Sequence, residues 1–251
     1  MTIETILTPV ELPALARRDL RASACVVFDI LRATSTFVTA LQNGAREIVP
    51  VSEISEAVVR RQAQPSVRLA GERDGVRIRA AQTGGTDFDF GNSPREFTPE
   101  KILGATIVST TTNGTRALRA CLGAKYVLAA SFLNLTASAR FLHGEKIKEV
   151  ILVCAGTGDS AATEDILAAG AMAELLSTYE TKRPEITNNT FAAKTAFFIE
   201  RDRLPGALRD SQNGRRLFAN PDLREDVAFC AQRDIFNLVA VMHADGAIRR
   251  A

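Results

Sequence analysis

Apolar residues along this chain gather in short runs that end on polar turns. Residues 24–30 (ACVVFDI), 47–51, 67–70, 107–108, 126–130 and 150–154 read as strands. An unbroken apolar run such as the first suits a strand covered on both faces, where the in/out alternation is lost. Between these runs the spacing predicts helices from about Thr34 to a stop at Gly44, over 53–64, from near Gly114, up to His143, and over about 162–179. Strand and helix alternating at this interval predict an α/β fold, a three-layer α/β/α arrangement with a largely parallel or mixed central sheet and right-handed crossovers. The first twenty residues carry Pro9 and Pro13 and predict an edge strand and a connection. Residues 75–99 are rich in Gly, Asp, Asn and Pro and predict a long loop, of the kind that covers a site. Beyond Pro184 the pattern weakens into a helix over 189–199, a turn-rich stretch over 204–222 and a mixed segment over 224–241. No linker, repeat or low-complexity tract divides the chain, so residues 1–251 are read as one domain.

Composition narrows the function classes. Basic and acidic side chains number 31 and 29, a formal net charge of +2, so no bulk field draws the chain to nucleic acid or membrane. A small local partner is expected instead. Residues 1–20 lack the layout of a signal peptide and no apolar run is long enough to span a bilayer, from which a cytoplasmic location is expected. The four cysteines are widely spaced without a CxxC pair, and there are two histidines, so any metal must be held mainly by oxygen.

The candidate chemistry sits where strands meet turns. Residues 105–123 (ATIVSTTTNGTRALRACLG) read as strand, hydroxyl-rich turn and helix. Unpaired turn amides beside threonine hydroxyls make an anion seat, with phosphate the first candidate; ordinary capping uses the same residue types. Asp29 closes an apolar strand, Glu72 stands in the turn 71–74 after another, and Glu164 and Asp165 open a helix after the glycine-containing turn 155–160. Hard oxygen ligands from separate strand ends, beside an anion seat, suit Mg²⁺, although first-turn acids also simply stabilise a helix. Arg32 and Arg73 each follow an acid within three residues and are either ion-pair partners or anion clamps. Cys154 lacks the arginine six positions on that a cysteine phosphatase needs, Leu31 and Ala33 break an aspartate-nucleophile DxDxT signature, and no GxxxxGK[ST] loop occurs. The stretch 156–161 loosely matches GxGxxA and leaves a dinucleotide-dependent oxidoreductase as an alternative.

Six ordered motifs, VVFDILRATSTFVTALQNGAREIVPV, LAGERDG, FDFGNSP, VSTTTNGTRAL, ASFLN and CAGTGDSAATEDILAAGA, resemble the 2-phosphosulfolactate phosphatase (ComB) family, with fainter likeness in SQNGRRL and EDVAFCAQRD. The resemblance implies a Mg²⁺-dependent phosphatase acting on 2-phospho-3-sulfolactate, a step on one route to coenzyme M. Carried onto this chain, it implies Asp29, Glu72, Glu164 and Asp165 on the metal side and Thr111, Thr112, Asn113, Gly114 and Thr115 as a phosphate cradle. It further implies Arg32 and Arg73 neutralising the anionic substrate, and Ser131 and Asn134 orienting its carboxylate or sulfonate. Asp74 stands where relatives more often carry glycine. The expectation is a metal-dependent phosphomonoesterase with a small anionic ester as partner; the alternative is a non-catalytic binding protein for a phosphorylated or sulfonated metabolite. A homo-oligomer is left open.

Overall fold

The computed structural model describes residues 1–73 and 75–251; Asp74 lies outside the described residues. In chain order the strands are β1 (Thr2–Ile6), β2 (Ser23–Phe28), β3 (Glu47–Pro50), β4 (Arg68–Arg73), β5 (Val76–Arg77), β6 (Thr106–Thr110), β7 (Tyr126–Ala130), β8 (Glu149–Cys154), β9 (Glu185–Ile186), β10 (Ala240–Met242) and β11 (Ile248–Arg250). The helices are α1 (Leu12–Leu15), α2 (Ala33–Gln42), α3 (Ile54–Ala63), α4 (Ala80–Thr83), α5 (Pro99–Ile102), α6 (Gly114–Ala120), α7 (Leu135–Gly144), α8 (Thr163–Tyr179), α9 (Asn188–Glu200), α10 (Leu204–Asp210), α11 (Gln212–Ala219) and α12 (Arg224–Cys230).

The strands form one mixed sheet in the order β5-β4-β6-β3-β11-β10-β7-β2-β8-β1-β9. Two parallel blocks, β4-β6-β3 and β7-β2-β8-β1-β9, are joined by the antiparallel hairpin β10–β11, which pairs with β7 on one side and β3 on the other. Side chains alternate between faces as the pleat requires. Cys25, Val27, Val127, Ala129, Ile151, Ile107 and Ile48 share one face with Phe37, Val38 and Leu41 of α2 and Ala117 and Leu118 of α6. Val26, Phe28, Leu128, Val150 and Leu152 face the other way, onto α7 and α8. Val51, Leu69 and Val108 form a smaller core with Ala57 of α3. Both faces are covered, which is why these strands read as continuous apolar runs.

The expected α/β layering is present, and several local expectations change. β1 is not at the edge: it lies between β8 and the two-residue β9. β4 runs on to Arg73, so Glu72 lies on a strand end rather than in the turn beyond it. The stretch 204–222 holds helices α10 and α11, not turns. The loop 75–99 carries β5 and α4 and bridges back to β4 through Ala70 and Phe90.

α8 and α9 pack closely enough to require a glycine. A Cβ built on Gly170 falls 2.6 Å from the Ala193 carbonyl carbon and 2.9 Å from Phe197 Cβ. Gly170→Ala gains helix propensity of under ~1 kcal/mol but must push the helices apart, so a net loss of about 1–3 kcal/mol is expected. A urea melt checks this; an unshifted midpoint would mean that the contact is looser than described.

Candidate active site

Asp29 follows β2 and is fixed by the first turn of α2. The Thr34 amide donates to its carbonyl (3.0 Å), the Thr34 hydroxyl does the same (3.0 Å), and the Ala33 amide donates to Oδ1 (3.0 Å). The other oxygen, Oδ2, faces Gly114 at the opening of α6, where an added Cβ would lie 2.8 Å away. Glycine at 114 thus lets the hydroxyl-rich turn approach the strand-end acid.

From the far block of the sheet, Glu72 closes the same space. Its Oε1 accepts from the Thr112 amide (3.2 Å) and hydroxyl (3.1 Å), and its Oε2 accepts from the Gly75 amide (2.7 Å). Asn113 Oδ1 accepts from the Gly158 amide (3.2 Å), tying the turn to the segment after β8. Thr115 donates its amide to Thr111 Oγ1 at 3.4 Å, so these two threonines brace the turn internally. The result is a cavity of about 250 Å³ with Asp29, Arg32, Glu72, Thr111, Thr112 and Asn113 in its wall.

Burial pushes the Asp29 carboxyl up to about 7; the Ala33 amide pulls the other way, and the negative charges of Glu72 and Glu164 add to the rise. Glu164 is buried, with Oε1 accepting from Asn213 Nδ2 (2.7 Å) and Oε2 lacking any partner among the described residues. Asp165 differs. Its Oδ1 accepts from the Ile30 amide (2.8 Å) and its Oδ2 from the Gly156 amide (3.0 Å), so it clips the ends of β2 and β8 together. Burial, then the charges of Glu164 and Asp29, holds its carboxyl well above the usual range.

Not every sequence-derived candidate reaches the cavity. Arg32 does, but its ion-pair partner is Asp226 at 2.8 Å, not Asp29. Arg73 folds back, donating to the Glu72 carbonyl (2.7 Å) and Thr110 Oγ1 (3.1 Å), and is absent from the cavity wall. Ser131 and Asn134 lie fully buried behind β7. Asn134 Oδ1 accepts from the Ser131 amide (3.0 Å) and Nδ2 donates to the Leu238 carbonyl (3.1 Å), a local capping arrangement away from the cavity. Cys154 is buried, and burial pushes its thiol well above the ordinary value, which leaves no thiolate for attack. The turn after it closes on itself through Thr157 and Ser160, and its Gly156 and Gly158 amides are already bonded, so the amides a dinucleotide would need are spent.

Four wall residues, Asn92, Thr157, Asn213 and Arg216, were not singled out from sequence. Asn213 Nδ2 donates to Thr157 Oγ1 (2.6 Å) as well as to Glu164, which fastens α11 over the turn after β8. The SQNG run was the available signal: Ser211 caps α11 by accepting from the Gly214 amide.

Among the described residues no group of three or more His, Cys, Asp or Glu side chains stands at the spacing of a protein-only metal cluster. A Mg²⁺ site needs less, since one or two carboxylates with substrate phosphate oxygens and water complete its shell. Asp29 and Glu72 share the cavity wall, and Glu164 Oε2, partnerless among the described residues, adds an unsatisfied hard donor behind them. This donor set fits a divalent cation; Asp165 is absent from the cavity wall, its oxygens turned to the Ile30 and Gly156 amides at the ends of β2 and β8.

A sequence model described as 2-phosphosulpholactate phosphatase matches residues 10–245. A protein named probable 2-phosphosulfolactate phosphatase from Caldanaerobacter subterraneus subsp. tengcongensis is 38% identical over 227 residues, 88% of each chain. One of the same name from Thermotoga petrophila is 38% identical over 217 residues, 86% of this chain and 88% of its own. A third, from Clostridium perfringens, is 34% identical over 226 residues, 88% of this chain and 86% of its own.

Proposed function

Because the chain belongs to the 2-phosphosulfolactate phosphatase family, we propose that it hydrolyses the phosphate monoester of 2-phospho-3-sulfolactate, or of a related 2-phospho-hydroxyacid, to the hydroxyacid and phosphate. The chain is accordingly a phosphoric monoester hydrolase. The observation that carries the reading is the juxtaposition of the buried Asp29 carboxylate with the 111–114 turn inside one small cavity.

The phosphoryl group lies against the wall formed by Thr111, Thr112 and Asn113; the Thr112 amide and hydroxyl, which donate to Glu72 in the ligand-free structure, would turn to it on binding. Arg32 and Arg216 oppose the remaining negative charge of the substrate, and Asn92 and Thr157 complete the wall. Asp29 aligns the attacking water through hydrogen bonding. The water oxygen bonds phosphorus and gives up one proton, the bond from phosphorus to the ester oxygen breaks, and the leaving oxygen takes up one proton, so that the hydroxyacid and phosphate together carry the two hydrogens of the water. A divalent cation such as Mg²⁺, held by Asp29 and Glu72 with Glu164 in support, supplies charge neutralisation of the phosphoryl oxygens when bound. Glu72 meanwhile keeps the turn at its distance from β4, through Thr112 and Gly75.

The test is phosphate release from a panel of 2-phosphorylated hydroxyacids with Mg²⁺ and with chelator. Release is expected with a sulfonated or carboxylated ester and is expected to fall at least ~100-fold on chelation. Tight binding of these esters without metal-dependent release would instead mark a non-catalytic binding protein.

A further inference from the structure

Arg32 is held in place by a residue 194 positions away. Its Nη1 donates to Asp226 Oδ2 at 2.8 Å and its Nη2 to the Gly75 carbonyl at 2.9 Å. Asp226, on α12, is wholly buried, and its other oxygen accepts from Ser93 Oγ at 2.7 Å, with Arg95 Nη1 at 3.5 Å. A guanidinium carries five N–H groups. Among the described residues Arg32 spends two of them, on partners that line or back the cavity, and its own side chain forms part of the wall.

A carboxylate buried this deeply is costly unless paired and hydrogen-bonded. The donors that satisfy it come from segments bordering the site: Arg32 after β2 and Ser93, next to the wall residue Asn92. A lone Arg32 could swing among several rotamers, whereas a planar guanidinium pinned at both terminal nitrogens presents its remaining donors in one direction. We propose that Asp226 is a positioning residue for the reaction: it fixes Arg32 so that the free edge of the guanidinium meets the substrate's anionic group. This rests on the phosphatase reading for the identity of that group, and it makes α12, far from the turn in sequence, part of the catalytic apparatus.

A double-mutant cycle tests it, read as kcat/KM on 2-phospho-3-sulfolactate and, in parallel, as the Kd of inorganic phosphate by calorimetry. Arg32→Ala is expected to lower kcat/KM by at least ~100-fold, Asp226→Asn by about 30-fold and Ser93→Ala by about 3-fold. In the Arg32→Ala background the other two changes are expected to cost under ~2-fold, because the side chain they orient is gone. The phosphate Kd is expected to follow the same non-additive pattern. A structural ion pair would be non-additive as well, so a urea melt of each variant decides between the two: losses of kcat/KM that follow the stability loss, with the phosphate Kd of folded Asp226→Asn and Ser93→Ala unchanged, would overturn the proposal. Should Asp226→Asn fail to fold, Ser93→Ala decides alone, since it removes one neutral donor and leaves the charges. If the wild type releases phosphate from no ester, the phosphatase reading falls, while the phosphate-binding cycle still decides whether Asp226 acts through Arg32.

Discussion

Asp29→Asn is expected to lower kcat on a 2-phospho-hydroxyacid by at least ~10³-fold while the folded protein becomes more resistant to heat at pH 8. Both halves come from one observation. The carboxylate sits among buried groups at a strand end, where its charge is costly to the fold and is the one the proposed reaction uses. Burial, with the Glu72 and Glu164 charges added, raises its folded-state pKa to about 7, above the usual value of 3.8 in the unfolded chain. A group whose folded pKa is raised favours the fold at low pH, where it is protonated in both states. In the metal-free protein that advantage is lost progressively between about pH 4 and pH 7. Above pH 7 the ionised form costs at most on the order of 4 kcal/mol relative to a neutral side chain. Asparagine keeps the shape and an oxygen for the Ala33 amide, and it cannot ionise. Thermal midpoints of the two metal-free proteins should therefore lie close together at pH 4 and separate as pH rises to 8, the variant being higher. Parallel curves would show that Asp29 is better solvated than its 8% exposure implies. Wild-type-like turnover by the variant would remove Asp29 from the mechanism.

Gly114→Ala carries the second large effect. A methyl group there would lie 2.8 Å from both Asp29 Oδ2 and Ala33 Cβ. Neither neighbour can yield easily: Ala33 is fixed in the first turn of α2, and the Asp29 carboxylate is anchored by the Ala33 amide. The hydroxyl-rich turn must retreat by a few tenths of an ångström or more, taking Thr111 and Thr112 with it. Overpacking of this kind costs about 1–3 kcal/mol in stability. Activity should suffer more, by at least ~100-fold, since misplacing the reacting group by about 1 Å is enough for that loss. Steady-state kinetics beside a urea melt separates the two effects. A stability loss with full activity would show that the turn is not the phosphoryl seat.

Much of this arrangement could be read from the residues alone, for physical reasons that differ from place to place. β2, β7 and β8 were visible because both their faces are covered, which demands unbroken apolar runs. Asp29 stood out because a single acid closing such a run has to be justified by a partner or a task. Other parts were hidden. Three-residue strands such as β10 and β11 are too short to express a period, and α11 is an amphipathic helix whose Ser, Asn and Gly opening reads locally as a turn, although its glycine sits against α10. Ser131 and Asn134 misled because a polar turn after a strand looks the same whether its groups cap one another or face a ligand. Arg73 misled through adjacency: following Glu72 along a strand sends its side chain the opposite way, onto Thr110. The pairing of Arg32 with Asp226 left no trace in local pattern at all, since it depends on where α12 docks.

The hairpin of residues 240–250 also bears on the integrity of the pocket. Because it is wedged between β7 and β3, each parallel block would end on an open row of amides and carbonyls without those few residues. Glu72 belongs to one block and Asp29 to the other, so the pocket lies across the seam that this hairpin closes. Displacement of the hairpin would therefore reach the chemistry by parting the two acids, and would bare two strand edges able to pair with another chain.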